Sequence, residues 1–240
     1  LHTQAALIAL SENDRNGLVQ AAIDHAWQQN QSVHNASTQC FEKKRMQQLL
    51  DQWLELESKR PPFRVVDTEK AFLLHLPENT VQPPRLELYI TADRIDQDSA
   101  NHTILIDYKT GKKQSPSKWM GERMEEPQLP LYAAAAKLGK HDAVTFATVR
   151  SGHEMGFEGL AGEDIGIDGI AVCDGKRERP GDWQQQLDDW KNALNSIAQE
   201  FVEGRSDVDP RDSKACRYCG LEAICRIEET GFDSNNEDDS

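Results

Sequence analysis

No segment of this sequence is apolar for long enough to cross a bilayer: its longest apolar stretches, such as Leu129 to Ala136, fall far short of the roughly 20 residues a spanning helix needs. No charged stretch precedes a short apolar one at the start, so neither membrane insertion nor secretion is expected. No internal repeat is visible, which excludes a repeat array. Basic residues are scarce: 27 Lys and Arg stand against 41 Asp and Glu, for a net charge of −14. That balance excludes a surface that binds a polyanion everywhere. Cysteine is sparse too, five in 240 residues, which does not fit the disulfide framework of a small secreted domain. The chain starts at Leu1 without an initiator methionine and runs straight into a helical pattern, as expected of a piece that begins inside a longer protein.

What is present suffices for a globular fold. With 38% hydrophobic residues the chain can bury a real core. Helical spacing of apolar residues covers 1–30 and about 36–59, where Met46, Leu49, Leu50, Trp53, Leu54 and Leu56 recur, until Pro61 and Pro62 break the pattern. The period then changes to that of strands at 63–66, 71–76, 86–90 and 103–108, with turn signals at 77–79 and 97–101. An alanine-rich helix is expected over about 126–138, strands over 144–149 and near 155–160, and a long amphipathic helix over about 182–203. The order is helices, an antiparallel meander, a crossover helix, a further strand and more helices, which describes an α/β sandwich.

One stretch carries chemistry. Asp93-Arg94-Ile95-Asp96 is followed, after a short turn, by Ile104-Leu105-Ile106-Asp107-Tyr108-Lys109-Thr110-Gly111. Residues two apart on a strand share a face, so Asp107 and Lys109 point together while Tyr108 points away. A hairpin partner ending at Asp93 would bring its carboxylate beside Asp107. Asp and Lys on the exposed face of an ordinary hairpin would form a plain ion pair. Here Asp107 ends an apolar run that reads as buried, and a buried charge requires a partner or a metal. Two carboxylates and one ammonium are the set that phosphodiester hydrolysis needs: the carboxylates hold Mg2+ or Mn2+, which activates a water, and the lysine orients that water and stabilises transition-state charge. Lys109, Lys112, Lys113 and Lys118 crowd into ten residues, a local basic patch on an acidic body, consistent with weak nonspecific DNA affinity for this piece alone.

Asp93-Arg94-Ile95-Asp96, Asp107-Tyr108-Lys109-Thr110-Gly111 and Gln128-Leu129-Pro130-Leu131-Tyr132 together resemble the RecB-like branch of the PD-(D/E)XK superfamily, and especially the nuclease domain of AddB-type helicase-nucleases. The resemblance implies a restriction-endonuclease-like α/β core, a central mixed β-sheet flanked by helices, with a C-terminal cysteine-containing segment. It implies Asp93 and Asp107 as metal ligands, Lys109 as the catalytic lysine, and Gln128 and Tyr132 as DNA-binding residues beside the site; the basic patch adds Lys112 and Lys113 as expected DNA contacts. His2 resembles the family's first-helix histidine that reaches the metal. Asp96 reads as structural, pairing with Arg94 or capping.

Cys216-x2-Cys219-x5-Cys225 has the spacing of a metal-binding knuckle. The resemblance implies a [4Fe-4S] cluster here, with a fourth cysteine ahead of Leu1; Cys40 and Cys173 do not sit where the family would place it. Zinc, or plain reduced thiols, are the alternatives. The expected organisation is an N-terminal helical part (1–60), a nuclease core (61–205), a cysteine segment (206–232) and a disordered acidic tail (233–240). The expected role is cleavage of single-stranded DNA or duplex ends in repair or recombination, in the bacterial cytoplasm, with helicase-like domains or a helicase-nuclease subunit as partners. The competing expectation is a noncatalytic DNA-binding scaffold with a vestigial site.

Overall fold

The computed structural model describes residues 2–29, 36–78, 85–113, 115–173, 181–216 and 219–227. The helical pattern at the start folds as two helices. Helix α1 (Gln4–Ile8) is capped by Thr3, whose hydroxyl accepts from the Ala6 amide at 3.1 Å. Helix α2 (Glu12–Gln29) starts afresh at Ser11, whose hydroxyl accepts from the Asp14 amide at 3.1 Å. A serine side chain competes with the helical backbone and ends one helix while capping the next, which the apolar spacing alone does not reveal. Helix α3 (Ala36–Lys59) stops just ahead of Pro61 and Pro62, as expected.

Six strands follow: β1 (Phe63–Leu76), β2 (Leu86–Asp98), β3 (Thr103–Lys109), β4 (Ala143–Thr148), β5 (Gly156–Ala161) and β6 (Ile170–Val172). They form one sheet in sequence order, antiparallel from β1 through β3, parallel between β3 and β4, antiparallel to β5 and parallel to β6. The stretch expected as two strands over 63–66 and 71–76 is one strand. Its polar middle, Asp67 to Lys70, carries a register shift between Val65 and Asp67, and Glu69 sits at φ 50°, so the alternation breaks while the pairing continues. Strand β2 likewise runs beyond the expected Ile90, through Asp93 and Asp96. The three-residue β6 is too short to carry a periodic signal.

The parallel β3–β4 pair requires a crossover, supplied by a 3-10 turn (Pro116–Trp119) and helix α4 (Gln128–Ala136). Helix α5 (Trp183–Val202) starts at Asp182, whose side chain accepts from the Gln184 amide at 3.1 Å. Two single-turn helices, α6 (Ser213–Cys216) and α7 (Glu222–Cys225), end the described chain. Residues 233–240, the expected acidic tail, lie outside the described residues. Among the described residues no helix is long and apolar enough to cross a membrane.

Strand β3 is buried on both sides, which explains its unbroken apolar run. Ile104, Ile106 and Tyr108 face Trp53 of α3, whose ring lies 5.8 Å from that of Tyr108 and 5.2 Å from that of Phe157. The expected N-terminal helical part therefore shares a core with the sheet. Leu105 faces the other way, with Val144 and Phe146, against Leu129, Tyr132 and Ala133 of α4 and the tryptophans 119, 183 and 190. These three indoles pack edge to face at centroid distances of 5.7 and 6.5 Å. The Trp190 Nε1 donates to the Trp119 carbonyl at 2.8 Å, and the Trp183 Nε1 to that of Gly139 at 3.0 Å. They tie α5 to the crossover loop. Trp190→Ala is expected to destabilise the chain by about 3–5 kcal/mol, measured as a fall in the urea midpoint.

On the α3 side, three buried charges, Glu57, Arg60 and Asp96, and the half-buried Arg94 bolt the helix to β2. Arg60 bridges Glu57 and Asp96, at 2.9 Å each, and Arg94 grips Asp96 at 2.7 Å and Glu57 at 3.2 Å. Arg94 also donates to the Tyr108 hydroxyl at 2.9 Å. The structural role expected of Asp96, paired with Arg94, holds. The participation of Arg60 and Glu57 needed the tertiary fold to become visible. Every one of these charges faces an opposite one, as burial demands.

Candidate active site

On the opposite face of the same strands lies a second charged cluster. Pairing of Arg94 with Ile106 places Asp93, one step along, across from Asp107. The Asp93 Oδ2 accepts the Tyr108 amide at 2.7 Å, which fixes its carboxylate at the end of β3. Two residues beyond Asp107, and therefore on the same face, Lys109 brings its Nζ to 2.7 Å from the Asp107 Oδ2 and 4.9 Å from the centroid of the Phe146 ring. Phe146 reaches this point because the parallel register aligns Asp107 with Phe146 and Lys109 with Thr148.

Helix α4 closes the site from above. Its first residue, Gln128, donates from Nε2 to the Asp107 Oδ1 at 2.7 Å, and its Oε1 accepts from the Lys109 ammonium. One turn on, the Tyr132 hydroxyl takes a second hydrogen bond from the Gln128 Nε2 at 2.7 Å and donates to the Asp107 Oδ1 at 3.3 Å. Gln128 thus holds the carboxylate and the ammonium at a fixed separation.

Asp107 is 1% exposed. Burial pushes its carboxyl above the ordinary value, the neighbouring Asp93 adds to the rise, and Lys109 opposes both. Burial, with the two carboxylates nearby, pushes the Tyr132 phenol up to about 12 and keeps it a donor. The Asp107 Oδ2 is buried, and the partner given for it among the described residues is the Lys109 ammonium, at 2.7 Å. A buried carboxylate whose Oδ2 meets a single cation, beside a second carboxylate, is the environment that a hard, oxygen-seeking divalent cation relieves. Asp93 and Asp107 therefore fit Mg2+ or Mn2+.

The other candidate residues lie apart from this centre. His2 is exposed and precedes α1; its carbonyl accepts the Val65 amide at 2.8 Å, and Thr3 bridges Arg64 on the free edge of β1. Through the pairs Val65–Asp96 and Asp96–Ile104 it stands three ladder steps from β3, about 14 Å, and three residues short of Asp107 along the strand, about 10 Å. The structure does not bring it to the two carboxylates. Lys113 follows β3 on the loop leaving the site and is paired with Glu158 at 2.6 Å, while Lys112 is exposed beside it. Among the described residues no disulfide joins the five cysteines. Cys216 and Cys225 are half-buried and Cys219 is exposed. Phe146, under the ammonium, is the contact that sequence reasoning missed; only the register of a parallel strand nearly forty residues away reveals it.

Curated proteins yielded no match. A solved structure titled "Crystal structure of SSO0001" is similar over 89% of this chain and 81% of its own, at 15% identity and a TM-score of 0.38. A mixed six-stranded sheet flanked by helices is the restriction-endonuclease-like arrangement expected, with two acidic residues and a lysine at the end of its central strands. The sequence model of the PD-(D/E)XK nuclease superfamily matches residues 2–226, and the chain belongs to that superfamily.

Proposed function

We propose that the chain is a Mg2+- or Mn2+-dependent deoxyribonuclease of the RecB-like branch, nearest to AddB-type nuclease domains, that hydrolyses single strands or duplex ends during DNA repair or recombination. The observation that carries this reading is the buried Asp107 Oδ2, facing the Lys109 ammonium and otherwise unpartnered among the described residues. When bound, the divalent ion supplies an activated water and neutralises the phosphate. The chain's own groups do the remainder. Asp93 and Asp107 hold the ion. Lys109, oriented by Gln128, donates to the attacking water or to a phosphoryl oxygen as negative charge grows there. Tyr132 and Gln128, with Lys112 and Lys113, line the approach of the DNA backbone.

Further parts of the reading concern the whole protein. Cys216, Cys219 and Cys225 supply three of the four thiolates of a [4Fe-4S] cluster, which is wider than a single ion and takes more widely spaced ligands. Helicase-like domains or a helicase-nuclease subunit feed the strand, in the bacterial cytoplasm. The test is digestion of end-labelled single-stranded DNA. Mn2+ is expected to support cleavage that EDTA stops and that Asp93→Asn lowers by at least about a hundredfold, with DNA binding retained. Equal cleavage by the variant, or metal-independent cleavage, would overturn the reading. Binding without cleavage by the wild type would favour a scaffold.

A further inference from the structure

The register that builds the nuclease site also aligns three ligand-type side chains at the other end of the sheet. Ile104 pairs with Ala143 on the parallel β3–β4 ladder, so two steps back His102 falls beside His141. Ala143 pairs with Ala161 on the antiparallel β4–β5 ladder, and the Gly162 amide continues it to the Asp142 carbonyl at 3.1 Å, so His141 falls beside Glu163. The three residues form a row across the turn after β2, the turn after α4 and the segment after β5. One nitrogen from each imidazole and one oxygen from Glu163 lie within 4.8 Å of one another.

The hydrogen bonding around His102 decides what this row is suited for. Asp98 is fixed by the amides of Ala100 and His102, at 2.8 and 2.9 Å, and its Oδ2 meets the His102 Nδ1 at 2.9 Å. In a neutral imidazole that contact places the proton on Nδ1 and leaves a lone pair on Nε2. That Nε2 faces the Glu163 Oε1 at 3.1 Å, and the same oxygen faces the His141 Nδ1 at 3.1 Å. A lone pair facing a carboxylate oxygen at that distance is repulsive unless a second ring proton or a shared metal ion relieves it. In a tetrahedral zinc site with bonds of about 2.1 Å, ligand atoms stand about 3.4 Å apart, close to the His–Glu separations here. A carboxylate behind a ligating histidine is also the usual support for such a ligand.

We propose that His102, His141 and Glu163 form a second divalent-metal site of the zinc type, with Asp98 as the positioning residue for His102 and water in the fourth place. Two imidazoles and one carboxylate favour zinc over the hard ions suited to Asp93 and Asp107. The ion cross-ties three turns at the sheet end remote from Asp107, where the Thr103 amide is already anchored to the Asp142 Oδ1 at 2.7 Å. This site does not depend on the nuclease reading.

The test isolates the site in a variant carrying Asp107→Asn, Cys216→Ser, Cys219→Ser and Cys225→Ser, shown to be folded by circular dichroism. Titration with Zn2+ alone is expected to give one ion per chain and a rise in Tm, and Co2+ to give the intense visible bands of a tetrahedral site without thiolate charge transfer. His102→Ala or Glu163→Gln is expected to abolish uptake, and Asp98→Asn to weaken it about 10- to 100-fold. If the four-site background takes up no zinc, the cluster is a set of proton-bridged ion pairs and the proposal fails. Uptake unchanged by both His102→Ala and His141→Ala overturns it as well. Should the four-site variant not fold, the same comparison is made by counting zinc per chain in the otherwise wild-type protein, where the His102→Ala and Glu163→Gln variants must each lose one ion.

Discussion

Lys109→Ala is expected to lower kcat for Mn2+-dependent cleavage of single-stranded DNA by about 100- to 1,000-fold, with KM little changed. The ammonium is held between the Asp107 Oδ2 and the Gln128 Oε1, over the Phe146 ring, and is only a quarter exposed. A group so placed contributes most where charge develops in the transition state, and least to ground-state affinity for the DNA backbone. Lys109→Arg is expected to remain within about tenfold of the alanine variant, because a planar, wider guanidinium cannot enter a slot shaped for a compact ammonium. Steady-state kinetics on a labelled oligonucleotide separates the two parameters. A loss confined to KM would make Lys109 a DNA-binding residue instead.

Asp107→Asn is expected to abolish cleavage and at the same time to stabilise the metal-free chain at neutral pH. Burial and Asp93 raise the native-state carboxyl of Asp107 above its ordinary value of 3.8, so the folded chain binds this proton more tightly than the unfolded chain. The associated stability is fully present below about that ordinary value and is lost as pH rises through the raised native one. Ionised Asp107 is therefore a burden on the metal-free fold. A divalent ion removes it: at a hundredfold excess over Kd, Mn2+ should add about 2.7 kcal/mol to the wild type and far less to the variant. Thermal unfolding with and without Mn2+, from acid to neutral pH, reads both effects. A variant less stable than the metal-free wild type at neutral pH would show that Asp107 is an ordinary satisfied ion-pair partner.

The central pair of strands was legible because its signal is local. Ile104 to Ile106 reads as buried, Asp107 ends the run, and a spacing of two puts Lys109 on the same face. The helix holding Gln128 and Tyr132 was legible for the same reason, although it starts two residues later than its apolar pattern suggests. Features that depend on pairing across the chain were not. Strand β1 looks like two because its exposed middle is charged and irregular in register. Residues 1–30 look like one helix because Ser11 leaves no gap in the apolar spacing. His2 looked like a ligand from its place ahead of a helix, yet its backbone is committed to the edge of β1. Arg60, Phe146 and the row from His102 through His141 to Glu163 come from segments 36 or more residues from their partners, or from neighbouring strands whose register no short window contains.

The most direct measurement is the anomalous difference map of a crystal of this protein soaked in Mn2+. The account predicts a peak bridging the carboxylates of Asp93 and Asp107, within coordination distance of the Asp107 Oδ2, and lost in Asp107→Asn. Density elsewhere with none between residues 93 and 107, under conditions in which the soaked protein cleaves DNA, would contradict it.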